Sequence, residues 1–547
     1  MVTKSFNNFE GGYTREDALW TEDLCQMVQG SRNVEIFSKE DEGYGVRSML
    51  GNKVYATITG KSIYNLHEYE TLDDRYLLAH TGDTVQELDE TLKTWTVLKS
   101  GLTTSATTAS MVDLVIDDLT TLTRRHYMFF TNGVDAPFIY EKGNVPAVQD
   151  VTATGVDGHT IRGNIAACFD QRVFIADGAT LYWSKQLDPF NFSTTEDAGY
   201  KRFEGIIKAV NVDRGVIIVS TTNGLQVGTS NAGQYTWAAL GANVTYNNKS
   251  MVTYGSATYY ATDNGIYPVT TTESGVNQTG STISYTIDAE LAEISSAYRE
   301  KMQLINATRL GRDEMWIHIP LASGSVVYIF RGKKGKLKYS FYLPPRYQQK
   351  VNDFCVFKDM MLSCTSDGKV LEELSGNSYD GLHYPSVVKT PKIYFGNYSG
   401  KLKTKPILFL DGDTTNNFYI RTYVNGSSYD YTEKYITMGG DLWAYDENDT
   451  QGMTWAYELC TLGAMQEVIL DTIITSNSDR IIFYIDSEDC DGGTWATSTL
   501  SRIPMDKAKS KSKDTERCVQ FEFVTKSIGD SFSIHAIDLT KIRKISK

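Results

Sequence analysis

The sequence predicts an all-β protein: a β-propeller of about seven hairpin repeats with one inserted helix, followed by a C-terminal β-sandwich. Three observations carry this expectation. Tyr (34) and Gly (44) are abundant and Pro (11) is scarce, and short Tyr/Thr/Val runs broken by Gly and Asn favour strands. An apolar run, a glycine turn and a second apolar run recur seven times. The chain has 547 residues, 41% hydrophobic and 22% charged, enough for packed cores in more than one domain.

The first residues, 1–60, read as an N-terminal arm and first strands. The repeats follow over 61–376. Their turns fall at Gly82 in "RYLLAHTGDTVQEL", Gly133 in "HYMFFTNGVDAPFIY", Gly178 in "RVFIADGATLYWS" and Gly224 in "GVIIVSTTNGLQVGT". Three more fall at Gly265 in "ATYYATDNGIYPVT", Gly324 in "EMWIHIPLASGSVVYIF" and Gly368 in "MMLSCTSDGKVLEEL". Asn-Gly and Asp-Gly between apolar runs mark hairpins, because tight hairpin turns need positive φ. The intervals between these glycines are 51, 45, 46, 41, 59 and 44 residues, close to the period of a four-stranded propeller blade. Stacked blades bury faces and edges that one hairpin leaves open. Two ordinary β-sandwiches with evenly falling hairpins are the competing architecture.

The widest interval holds a helix-like pattern near 285–302. In "TIDAELAEISSAYREKM", Ile287, Leu291, Ile294 and Tyr298 fall on one face. Asp288, Glu290 and Glu293 lie near the start, which suits the helix dipole. The segment reads as an insertion whose apolar stripe packs on the propeller or on a neighbouring subunit. Beyond 376 the texture changes to a linker and further strand pairs, read as a separate sandwich over 377–547. Within it, "DKAKSKSKDTER" is a polar basic loop, and its Lys507, Lys509 and Lys511 are candidate intersubunit contacts.

The net charge of −14 argues against a protein that grips duplex DNA, and does not exclude a smooth acidic channel through which DNA slides. Seven cysteines without a C-x-x-C pair fit reduced thiols in a protein made in the cytosol. The N-terminus has no apolar signal region, and no apolar run approaches the roughly 18 residues of a membrane helix. A soluble chain without membrane insertion is expected.

Common catalytic signatures for nucleotides, serine hydrolysis and zinc are missing. Scattered histidines, His126 and His318 among them, read as ordinary strand residues. "DSEDCDGG" (Asp486, Glu488, Asp489, Asp491) departs from the EF-hand pattern and reads as a solvated turn, as does "LDGDTTNN" (Asp411, Asp413). Asp83, Asp177, Asp263 and Asp367 sit in or beside hairpin turns, where Asp is favoured for turn geometry alone. A glycosidase would need two of them at a defined separation. The cluster "RGKKGKLK" (Arg331, Lys333, Lys334, Lys336, Lys338) reads as a turn, solvated or at a subunit contact. No catalytic residue, metal site or cofactor is expected.

Two segments carry a resemblance. The opening "NNFEGGYTRED…SRNVEI…GYGVRSMLG", with Phe9, Gly11, Gly12, Asn33, Val34, Gly45 and Arg47, resembles one common in phage tail and head-completion proteins, without its usual proline. "LYWSKQLDPFNF", with Ser184, Asp188, Pro189, Asn191 and Phe192, resembles the S-x-x-x-x-P-x-x-F segment of the tail nozzle, or packaged-DNA stabilisation, proteins of short-tailed bacteriophages. "TNGLQV", "DNGIYPV" and "STISYTIDAELAEI" follow in the family's order. The resemblance implies a structural virion protein of the tail, made in the host cytoplasm. It implies a homo-oligomer, a hexameric ring below the portal and adaptor proteins, that extends the DNA channel and retains packaged DNA without sequence recognition. Tail fibre or spike proteins would attach around it.

A reading of another class remains beside it, a glycan-binding or glycan-cleaving propeller tail protein, in which Trp183, Phe190 and Phe192 stack on sugars. A cellular propeller adaptor that binds partner proteins is a third.

Overall fold

A computed structural model describes residues 2–6, 9, 11–14, 27–39, 43–118, 123–155, 158–194, 196–231, 234–272, 275–278, 281–308, 313–332, 341–394, 401–411, 416–424, 431–438, 480–484, 518–528 and 530–545. The chain is almost entirely β and divides into two units. One comprises 1–50, 331–347 and 377–547; the other comprises 51–330 and 348–376.

The second unit is a succession of small antiparallel sheets. Sheets 1 to 5 each have four strands in sequence order and span Asn65–Ser100, Ser110–Asp150, Ile165–Arg202, Ile207–Gly241 and Met251–Gln278. Sheet 6 is built on Gln303–Asn306, Glu314–Pro320 and Ser325–Arg331, and sheet 7 on Asp353–Phe357, Met360–Cys364 and Lys369–Glu373. Each of the seven turn glycines falls at the connection between the second and third strands of its sheet. Gly82, Gly133, Gly178, Gly224, Gly265 and Gly368 have positive φ, the backbone state for which glycine is suited. At Gly368 a side chain is excluded twice, because a Cβ would also collide with the carbonyl oxygens of Ile58 and Lys61.

The fourth strand of sheet 7 comes from the other end of the unit. Asn52–Thr57 pairs antiparallel with Lys369–Glu373, with Thr57 opposite Lys369 and Asn52 opposite Glu373. This pairing brings the unit's two chain ends into one sheet. First strands also touch in order, from sheet 7 to sheet 1 and on through sheet 6. Between sheets 6 and 7, Gln303 Nε2 donates to Asn352 O at 3.0 Å.

Apolar layers lie between consecutive sheets rather than in one central core. Leu66, Leu77 and Leu88 of sheet 1 pack with Phe357, Leu362 and Val370 of sheet 7. Leu78 and Val85 meet Met128, Phe130 and Phe138, and Phe129 and Ile139 meet Val173 and Ile175. Phe174 and Leu181 meet Ile217 and Val219, and Ile218 and Val227 meet Tyr260 and Val269. Alternate strand residues point to opposite faces, so sheets 1 to 4 each supply two of these layers. Full burial of one such side chain contributes about 1.5–3 kcal/mol.

The described residues of the first unit form two sheets. In one, Ser533–Ile545 lies between Gly43–Ser48 and Lys401–Asp411 and also pairs with Val2–Phe6. In the other, Cys518–Val524 pairs with Val387–Lys389 and Asn416–Val424, which pairs with Tyr431–Met438. Phe532 links them: its N–H bonds Ser48 Oγ at 3.1 Å and its ring meets Phe418 at 5.8 Å. Residues 1–50 therefore share a unit with the C-terminal strands, whereas the sequence suggests an arm separate from 377–547. That pairing is non-local and leaves no spacing signal.

The helix expected near 285–302 is two short helices, Asp288–Glu293 and Ser296–Arg299. The break is at Ile294, whose ψ is 130°. Arg299 Nε donates to the Ile294 carbonyl at 3.1 Å, so a side chain takes the acceptor that a continuing helix would use.

Candidate functional site

Polar side chains gather where the first strands of the second unit begin. Lys249 lies in a single 3-10 turn, Asn248–Ser250, just before Met251–Tyr254. Asn247 caps that turn, and its Oδ1 accepts from Lys249 N at 2.7 Å and Ser250 N at 3.2 Å. Its Nδ2 donates to Glu300 O at 2.8 Å and Met302 O at 2.9 Å. The turn is thus held from both sides, and the lysine stem has a defined start.

Lys249 Nζ reaches Asp353 Oδ1 at 2.7 Å and Asn65 Oδ1 at 3.0 Å. Asp353 opens sheet 7 and Asn65 opens sheet 1, so one cation ties three sheets. Asp353 Oδ2 accepts from Leu66 N at 3.0 Å. The carboxylate is 5% exposed and the lysine side chain 34%. Asn65 Nδ2 donates to His80 Nδ1 at 3.0 Å, and His80 Nε2 faces Gly82 O at 3.3 Å. These partners assign the ring proton to Nε2. Burial pushes the His80 imidazole down to about 4, against the raising effect of the Gly82 carbonyl, so it is neutral at pH 7.

A second buried histidine, His318, lies near the same strand starts. His318 Nδ1 donates to Gln303 Oε1 at 3.2 Å, and its Nε2 accepts from Ser325 Oγ at 3.0 Å. Ser325 Oγ accepts from Val351 N at 3.1 Å, and Asn352 Nδ2 donates to Ile63 O at 2.7 Å. Burial pushes His318 down to about 3. The network spends its donors and acceptors on one another, which is how buried polar groups become stabilising. It joins chain segments and holds one ion pair. Among the described residues, no three His, Cys, Asp or Glu side chains cluster to hold a metal.

The segment from Ser184 to Asp197 is a second built feature. Ser184 is buried, and its Oγ accepts from Val173 N at 3.0 Å. Lys185 N donates to Asn191 O at 2.8 Å, and Asp188 Oδ1 accepts from Phe190 N at 3.2 Å. Pro189 and Phe192 are buried. Phe192 joins the layer between sheets 2 and 3, with Leu187 and Phe190 packed against it. Arg172, 1% exposed, anchors the far end: Nη1 donates to Ser184 O at 3.0 Å and Asp197 O at 2.6 Å, and Nη2 to Asp197 Oδ2 at 2.7 Å. Trp183 meets Tyr235 edge-on at 5.0 Å, and Gly199 lies against its indole. The aromatic faces that a sugar would need are engaged by neighbours.

The N-terminal residues of the resemblance lie in the first unit. Phe9 is fully buried and its carbonyl accepts from Gly12 N at 3.1 Å; Gly11 is exposed. Asn33 is buried with φ 53°. Its N–H bonds Pro345 O at 3.0 Å, its carbonyl accepts from Met49 N at 2.9 Å, its Nδ2 reaches Pro385 O at 3.2 Å, and its Oδ1 accepts from Tyr347 N at 2.6 Å. One asparagine thereby fastens four stretches of chain. Val34 is buried. Gly45 lies under the Phe37 ring, which leaves no room for a Cβ, and Arg47 pairs with Glu35.

Of the predicted contact stripe, Ile287 and Leu291 are buried within the second unit, and Ile294 and Tyr298 are half-buried. The first two are spent on the chain's own core. Lys507, Lys509 and Lys511 lie outside the described residues, as do Lys333, Lys334, Lys336, Lys338, Asp413, Asp486, Glu488, Asp489 and Asp491. Asp411 ends a strand opposite Arg480, and Arg331 Nη1 donates to Ile36 O at 2.7 Å.

The turn acids all have local partners. Asp83 pairs with Lys61, whose hydrogen bond holds its carboxyl below the usual range. The Thr365 hydroxyl does the same for Asp367. Asp177 accepts from Arg162 N at 3.0 Å, and Asp263 from Tyr246 OH at 3.1 Å. His126 Nδ1 bonds Glu70 O at 3.2 Å. The thiols of Cys168, Cys355 and Cys364 are free, and burial pushes all three up in pKa.

No sequence signal marks Lys249, Asp353 or Arg172: the first two act across sheets, and Arg172 reaches two ends of a connection within its own sheet. No family model matches the chain, and no curated protein matches it. Among solved structures it is similar to the crystal structure of the computationally designed Ika8 protein, at 10% identity with a TM-score of 0.33, over 59% of this chain and 99% of that one. A likeness of that degree carries no inference about function.

Proposed function

We propose that the chain is a structural virion protein, a tail nozzle or hub subunit whose sheets 1 to 7 are the blades of a β-propeller. On this reading the pairing of Asn52–Thr57 with Lys369–Glu373 closes the ring, and the first strands surround its axis. Lys249, reaching Asp353 and Asn65, bridges blades across that axis. A DNA path would then lie between several copies of the chain rather than through one propeller.

The observation that carries the reading is what the residues of the resemblance do. Gly12, Asn33, Ser184 and Phe192 hold separate stretches of chain together, and Phe9 and Asp188 close local turns beside them. They are used as braces and present no reactive group, which suits a load-carrying subunit. The net charge of −14 per chain suits a wall that a polyanion passes without sticking. The subunit would form a hexameric ring below portal and adaptor proteins, carry fibres or spikes, and retain packaged DNA. It needs no catalytic residue and no cofactor.

The test is the mass of the full chain in solution by light scattering, alone and after mixing with portal and adaptor rings encoded with it. Recruitment of six copies per ring supports the proposal. A chain that stays unbound and instead cleaves or retains host polysaccharide is the glycan-active tail protein.

A further inference from the structure

We infer that a cleft in the first unit is a docking site for an acidic peptide segment of a partner protein, with Arg32 as the carboxylate-binding residue. The cleft, about 500 Å³, has Arg32, Arg421 and Lys526 around apolar walls from Pro385, Val387 and Val524. Its size falls in the range of about 300–1,000 Å³ typical of ligand clefts.

The charges in it are not equivalent. Arg421 Nε and Nη1 bind Glu433 Oε2 at 2.7 Å and Glu522 Oε1 at 2.8 Å. Lys526 pairs with Glu433. Burial alone would raise the Glu433 carboxyl, but hydrogen bonds from Lys526 and Arg421 outweigh it and hold the group low. Two cations and two carboxylates therefore balance. Arg32 stands apart: it is exposed, and its guanidinium makes no hydrogen bond or ion pair among the described residues. Its backbone is fixed all the same, with N–H to Val387 O and carbonyl from Val387 N, both at 2.8 Å.

A second uncommitted cation lies close by. Lys389 passes beside Gly30, which has φ +101°. Lys389 Nζ sits 5.4 Å from the centre of the Tyr423 ring and, among the described residues, has no carboxylate partner. Among the described residues, two cations without a carboxylate partner thus stand beside one apolar-walled cleft in a chain with net charge −14.

The chemistry selects the ligand class. A guanidinium pairs bidentately with carboxylate or phosphate. Glu522 lines the same cleft, so a dianionic phosphate or a nucleic-acid backbone would meet a fixed negative charge. A single Asp or Glu carboxylate carries less charge and would pair with Arg32 beyond that repulsion. Aliphatic neighbours in the same peptide would cover Val387, Val524 and Pro385.

The probe is a fluorescein-labelled octapeptide of alternating glutamate and leucine, titrated with the full-length chain by fluorescence anisotropy. Saturable binding is expected, weakened about tenfold by Arg32→Ala, which corresponds to ~1.4 kcal/mol. Arg32→Lys should fall between, and Lys389→Met, which leaves Arg32 in place, should weaken binding less. Thermal melting of each variant checks that the unit stays folded. Wild-type affinity in both Arg32→Ala and Lys389→Met, or no saturable binding by the wild type, overturns the assignment. Displacement of the peptide by inorganic phosphate or a single-stranded oligonucleotide at lower concentration than by unlabelled peptide also overturns it, in favour of a phosphate site.

Discussion

Lys249 Nζ lies 2.7 Å from Asp353 Oδ1, joining the turn before sheet 5 to the first residue of sheet 7. The two ends of this pair are unequal, because Asp353 is enclosed and Lys249 keeps a third of its side chain in solvent. Lys249→Met strands an enclosed carboxylate; we expect a loss of about 2–3 kcal/mol, at or below the low end of the roughly 3–5 kcal/mol of a fully buried pair because Lys249 is part-exposed. Asp353→Asn leaves a lysine that can turn outward, at a cost of about 1 kcal/mol. Denaturant unfolding of both variants checks the order, and equal losses would contradict it.

Arg172 makes the corresponding prediction for the Ser184–Asp197 segment. Its fork binds two carbonyls and one carboxylate from an almost fully buried position. Lysine keeps the charge but cannot span those acceptors. Arg172→Lys should destabilise by about 2–4 kcal/mol and open this segment to limited proteolysis before the rest of the chain. Cleavage there at the wild-type rate would show that the segment holds itself.

Two turn glycines separate backbone strain from crowding. Gly178 has φ +60° with open space around its missing Cβ, whereas Gly368 has φ +84° and carbonyl oxygens against it. Gly178→Ala should cost about 1 kcal/mol, the price of a left-handed alanine. Gly368→Ala should cost at least about 2 kcal/mol more, since it displaces the chain that runs from Asn52–Thr57 into sheet 1. Melting midpoints of the two variants test this, and similar shifts would contradict the crowding described at Gly368.

His80 and His318 give a pH dependence of known sign. Their folded values lie near 4 and 3, below the ordinary 6.5. The unfolded chain therefore takes up protons first as pH falls. The stability held by the neutral rings is complete above about pH 6.5 and is lost as pH falls toward their folded values, by up to ~1.4 kcal/mol per pH unit for each proton. Melting between pH 7 and pH 4 should show this slope, and a His80→Gln, His318→Gln double variant should flatten it. An unchanged slope would place the dependence elsewhere.

Much of the strand framework was legible in the sequence because its signals are local. Positive φ at a tight turn selects glycine, so Gly82, Gly133, Gly178, Gly224, Gly265 and Gly368 announce the hairpins they occupy. What joins the sheets was not legible. The pairing of Asn52–Thr57 with Lys369–Glu373 depends on contacts between opposite ends of a unit. Lys249 sits in an ordinary polar stretch, "NNKSM", and acquires its role only from partners in other sheets. The helical spacing of Ile287, Leu291, Ile294 and Tyr298 was misleading past Glu293, because Arg299 competes for the Ile294 carbonyl. "KQLDPFNF" invited a binding-site reading through its aromatics, and packing accounts for them.

The most direct test of the proposed structural virion role is electron microscopy of the full chain mixed with portal and adaptor rings encoded beside it. The account predicts six-fold rings of this chain continuing the central channel, with each copy showing seven blades and a path for DNA between copies. Monomers or dimers that never join the portal–adaptor complex would contradict it.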